Sequence, residues 1–92
     1  MGPTTYNPTF VFEFETAVPL TKGMLKKIKE NFYCDDVTMN GSYKGKITYI
    51  EKTPCTEYRL EDLTESLISK INLLFKSISK HVWLYNYKIF LT

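Results

Sequence analysis

The stretch TFVFEFET, residues 9–16, sets Phe10, Phe12 and Phe14 in alternation with Val11, Glu13 and Glu15. Side chains two residues apart share one face of a strand, so this is a half-buried strand. The three phenylalanines are the only apolar face that it can offer to packed helices. They must therefore point inward, which leaves Val11, Glu13 and Glu15 on the other side of the sheet.

Downstream, Pro19 and Thr21 open a helix running to about Phe32. Leu25, Ile28 and Phe32, with Met24 beside them, fall on one face, and Lys22, Lys26 and Lys29 form the opposite stripe. Asp35 and Asp36 mark a turn, Val37 to Asn40 is a short strand, and Asn40-Gly41-Ser42 is a hairpin signal. Tyr43 to Lys52 continues as a strand, with Tyr43, Ile47 and Tyr49 facing one way and Lys44, Lys46, Thr48 and Ile50 the other. Thr53-Pro54 interrupts it. Residues 56–60 are compatible with a further strand or with the lead into a helix. From about Glu61 to Lys80, Leu60, Leu63, Leu67, Ile71, Leu74, Phe75 and Ile78 make a broad apolar helical face. Its acids come first and its lysines last, which suits the helix dipole. Residues 81–92 are rich in β-branched and aromatic side chains and read as a final strand.

The expected order is strand, helix, strand, strand, helix, strand. With right-handed crossovers this is an α+β, ferredoxin-like βαββαβ sandwich, two helices on one face of a four-stranded antiparallel sheet. Upstream, residues 1–8 carry Pro3 and Pro8 among small polar residues and are expected to be a flexible N-terminal arm. Residues 9–92 then form a single domain, as suits a chain of 92 residues.

The net charge is only +2, with eleven lysines, one arginine and ten acids, so no strong field is expected. Lys, Asn, Ile, Phe and Tyr are abundant while Ala17 is the one alanine, a skew that points to an AT-rich coding genome such as a phage or mobile element. No apolar run has the length of a membrane span, and the residues given open with no basic-then-apolar leader. Cys34 and Cys55 have no metal-type spacing. A reducing cytoplasmic setting without metal or cofactor is the expectation.

Catalysis needs a nucleophile, a base and an orienting group. The only histidine, His81, sits at a helix-to-strand junction. Cys34 precedes two aspartates, which disfavour its thiolate. Glu13 and Glu15 are explained by cross-strand pairing with Lys44 and Lys46. No enzymatic activity is expected. An RNA-recognition sheet also sets aromatics beside lysines, and Lys44-Gly45 opens the third strand here. The positions that should then carry aromatics hold Lys46 and Thr48, however, and Glu13 and Glu15 repel phosphate.

Two surfaces remain. The last strand lies at a sheet edge, with Trp83, Tyr85 and Tyr87 read onto one face and Val82, Leu84, Asn86, Lys88 and Phe90 onto the other. Long apolar edges tend to be paired or covered. The expectation is a non-catalytic protein-interaction module that forms a homodimer through this edge or adds a partner's strand to it. By analogy with small phage-encoded proteins, the protein partner would belong to a host defence system that the chain inhibits. The alternative is a nucleic-acid-binding accessory protein that uses the Lys22, Lys26, Lys29 stripe.

Overall fold

Phe10, Phe12 and Phe14 are completely buried along β1 (Thr9–Thr16), while Val11, Glu13 and Glu15 between them are only partly covered. The computed structural model describes residues 4–91, so Met1–Pro3 of the expected arm and Thr92 of the expected last strand lie outside the described residues. After β1 come α1 (Lys22–Phe32), β2 (Asp36–Asn40), β3 (Lys44–Ile50), α2 (Glu57–Ile78) and β4 (Val82–Phe90). The strands form one antiparallel sheet in the order β2-β3-β1-β4, which is the ferredoxin-like arrangement. β1 and β3 are central, and β2 and β4 are the edges.

Both helices cover the phenylalanine face, α1 toward β2 and α2 toward β4. Ile28 and Phe32 descend from α1, and Leu67, Ile71 and Phe75 from α2. Phe75 meets Phe14 edge to face at 5.5 Å, and Phe32 lies 6.2 Å from Phe12 and 5.6 Å from Tyr49. Each fully buried phenylalanine stabilises the fold by about 1.5–3 kcal/mol of transfer free energy. Thr21 caps α1 by accepting a hydrogen bond from the Met24 amide at 3.2 Å, and Tyr33 closes the helix in a left-handed conformation, φ 57°.

Three sequence expectations change. α2 begins at Glu57, so the undecided stretch at 56–60 is mostly the first turn of the helix. Tyr43 lies in the β2–β3 turn and is half exposed instead of joining the core. The core side of β3 is Gly45, Ile47 and Tyr49, because Phe14 stands opposite Gly45 and fills its place. In that turn Gly41 supplies the positive φ, 82°. The second half of the expected arm is fastened down. Tyr6 and Cys55 exchange two backbone hydrogen bonds of 2.8 and 2.9 Å, the Asn7 amide donates to the carbonyls of Glu51 and Lys52, and Pro8 is fully buried.

Gly45 is therefore a packing requirement. A Cβ there would overlap the Phe14 ring and stand 2.7 Å from Met39 Sδ. Gly45→Ala should lower unfolding free energy by about 1–3 kcal/mol through overpacking, read as a lower urea midpoint at unchanged slope. An unchanged midpoint would show that Phe14 moves aside freely.

Candidate functional site

The candidate site is the exposed edge strand β4 with the surfaces it presents on either side. Its pairing with β1 is irregular. From Thr9 opposite Phe90 to Glu13 opposite Asn86 the register is uniform, and it then shifts, with Phe14 opposite Leu84 and Glu15 opposite Trp83. Tyr85 is left with no residue of β1 opposite it. This is a β-bulge, one extra residue on the outer strand.

The bulge changes which side chains share a face. Residues directly opposite one another project to the same side of a sheet. Val82, Leu84, Tyr87 and Ile89 therefore lie with the phenylalanines on the helix side, and the Tyr87 ring is 6.4 Å from Phe12. Trp83, Asn86, Lys88 and Phe90 lie with Glu13 and Glu15 on the open side. Tyr85 joins them, since its hydroxyl donates to Glu13 Oε2 at 3.1 Å and Lys44 Nζ is 5.6 Å from its ring centre. The expected trio is thus divided: Trp83 and Tyr85 share the open face, Tyr87 points the other way, and Asn86, Lys88 and Phe90 no longer accompany Val82 and Leu84. Strict alternation cannot survive an inserted residue.

Glu13 is what the bulge is built around. Its carboxylate accepts from the Tyr85 hydroxyl and from Asn86 Nδ2 at 3.2 Å, and it pairs with Lys88 Nζ at 3.6 Å. Lys46 stands opposite on β3, and the Glu13 side chain is only 14 % exposed. Partial burial by itself raises a carboxyl pKa. The Tyr85 hydroxyl, Lys88, Asn86 and Lys46 outweigh it and hold Glu13 below the usual carboxylate range. Burial, together with donation to Glu13, pushes the Tyr85 phenol up. Glu15 faces Lys44 and Trp83 along the same sheet face.

On the helix side, the angle between α2 and the β4 edge is an open groove. One part, about 310 Å³, is lined by Ile68, Asn72 and β4 from Leu84 to Tyr87. The next, about 340 Å³, begins at Asn72 and runs past Lys76 and Lys80 to Trp83. Trp83 is 43 % exposed, and Tyr85, Tyr87 and Phe90 are similarly open.

The lysine stripe is elsewhere. Lys22, Lys26 and Lys29 are all exposed on the solvent side of α1, which lies toward the other edge of the sheet, and Lys26 pairs with Glu30 at 3.8 Å. The structure does not bring it together with the β4 aromatics. Cys34 and Cys55 are buried free thiols, and burial, reinforced by Asp35 and Asp36, pushes the Cys34 thiol up. A cavity of about 350 Å³ at the start of α2 is lined by Glu51, Cys55, Arg59 and Asp62, but Glu51 is committed to Tyr49 and the Thr53 amide. Among the described residues no three potential metal ligands cluster, and no helix is long and apolar enough to cross a membrane. Compared with known proteins, the chain matches no family model, no curated protein and no solved structure.

The Glu13 network makes a pH-dependent contribution of known sign. A carboxyl held below its unfolded pKa stabilises the fold fully above about pH 4.3, and the effect vanishes as pH falls through the lower folded value. Glu13→Gln should therefore be less stable than the wild type at about pH 6, with the difference narrowing at about pH 3. Urea unfolding at both values checks it, and a gap that widens in acid would contradict the assignment.

Proposed function

We propose that the protein is a non-catalytic protein-interaction module that docks another β-strand onto the outer edge of β4. One observation supports this most: a nine-residue edge strand stands open along one side, with exposed aromatic side chains on both of its faces and a groove beside it. A strand laid there gains main-chain hydrogen bonds, and its alternate side chains fall beside Trp83 and Tyr85 on one face and into the α2 groove on the other. Trp and Tyr favour such contacts because they bring large area at small entropic cost.

Edge strands are commonly guarded by a charge, and Lys88 is the only one on β4. Its ammonium is drawn back over its own sheet to Glu13, which leaves the edge accessible. The basic stripe of α1 supports nucleic-acid binding less well, since one of its three lysines is already paired to a neighbouring carboxylate and the open sheet face carries acids.

Affinity capture with the tagged chain as bait tests the reading, with and without nuclease. Bound chains, whether copies of this protein or others, should be recovered equally in both and lost from a folded Trp83→Ala, Tyr85→Ala bait. Recovery that collapses on nuclease treatment would overturn the proposal and make Lys22, Lys26 and Lys29 the residues to mutate.

A further inference from the structure

We infer that the strand received by β4 is β4 of a second copy, joined about a two-fold axis that passes between Tyr85 and Asn86. The inference rests on the strand-docking reading above and names its occupant. The resulting dimer has one continuous eight-stranded sheet.

The bulge carries the first part of the argument. When two identical antiparallel strands join two sheets about an axis normal to them, residues brought opposite each other must project to the same side. In a regular strand this demands that some residue face its own copy. On β4 the extra residue shifts the alternation, so that inward side chains fall at Val82 and Leu84 before it and at Tyr87 and Ile89 after it. A register centred on Tyr85 or Asn86 mismatches the faces at every flanking pair, and one centred on Leu84 or Tyr87 matches them only as far as the bulge. The register centred between Tyr85 and Asn86 matches them along the whole stretch Val82–Ile89. It sets Val82 opposite Ile89 of the second copy, Leu84 opposite Tyr87, Trp83 opposite Lys88 and Tyr85 opposite Asn86. The inner rows are apolar, the outer row lays the aliphatic stem of Lys88 beside an indole while its ammonium stays on Glu13, and no like charges meet.

Helix α2 supplies an independent argument. Glu61, Glu65, Ile68, Asn72 and Lys76 follow one another at three- and four-residue spacing, so they form one stripe along the helix, and Lys80 follows just past its C-terminal end. Ile68, Asn72, Lys76 and Lys80 line the groove beside β4, which fixes the stripe on that flank. Glu61, Glu65, Lys76 and Lys80 are exposed and make no ion pair among the described residues. The stripe is acidic at one end, uncharged in the middle and basic at the other. The uncharged pair, Ile68 and Asn72, lies beside Leu84 to Tyr87, at the level of the proposed axis. A two-fold there turns the second α2 antiparallel to the first and brings Glu65 to Lys76 of the other copy. With strands ~4.8 Å apart and each helix covering about two of them, the two α2 helices come ~10 Å apart, an ordinary packing distance. The strand and the helix thus specify the same axis from different residues.

Sedimentation equilibrium of the full chain should give twice the monomer mass of 10.8 kDa. Glu65→Lys alone and Lys76→Glu alone should each raise the dimer dissociation constant about tenfold, and the double variant should restore it to within about threefold. A Trp83→Cys, Lys88→Cys variant oxidised with diamide should form a covalent dimer. These positions are ~17 Å apart within one strand, too far to close on themselves. The wild type, with Cys34 and Cys55 buried, should not cross-link. Cross-linking by Lys88→Cys alone, or a double charge variant no better than the singles, would overturn the register. A monomeric wild type that still captures other chains through β4 would overturn the second-copy occupant and leave strand docking standing. A monomer that captures nothing would overturn both.

Discussion

The fold depends on one constraint, the obligation of β1 to bury all three of its phenylalanines on the same side. β1 lies between β3 and β4, so its facing is imposed on both neighbours by pairing. Gly45 exists where it does because Phe14 needs the space, and Ile47 and Tyr49 face inward because they share rows with Phe12 and Phe10. The same constraint sends Glu13 outward into the middle of the open sheet face. A carboxylate there needs partners, and β4 provides three within four residues: the phenol of Tyr85, the amide of Asn86 and the ammonium of Lys88.

Those partners are what make the bulge more than an irregularity. Tyr85 and Asn86 both reach Glu13 only because the strand holds two successive side chains on one side. The polar contacts are surface interactions of modest individual strength, but they select a geometry. The outcome is an edge strand whose two halves are out of phase, and this phase difference decides which side chains reach the groove and which reach the open face.

Much of this architecture was legible in the sequence. The alternation in residues 9–16, the lysine and leucine periodicities of the helices and Asn40-Gly41 are local patterns, and each element they imply is present. The start of α2 was not legible, because its first turn exposes Tyr58 and Arg59, and Thr56 makes no side-chain capping bond. The facing of β4 was legible only up to Tyr85. Nothing within residues 82–90 shows that Glu13, some seventy positions earlier, will draw two neighbours to one side. The docking of Tyr6 against Cys55 is invisible for the same reason, since both halves of the bridge are unremarkable alone. Interactions across such separations leave no periodic trace in the chain.

The placement of β1 between β3 and β4 also has a consequence during synthesis. β4 begins sixty-six residues after β1 ends, and at roughly 5–20 residues per second the ribosome takes roughly 3–13 s to span that interval. Throughout it, one flank of the most phenylalanine-rich strand has no neighbour, and the helix that shields Phe14 is itself still emerging. A nascent chain of this topology spends seconds with its central strand as a temporary edge, open along that flank to pairing with any other extended segment.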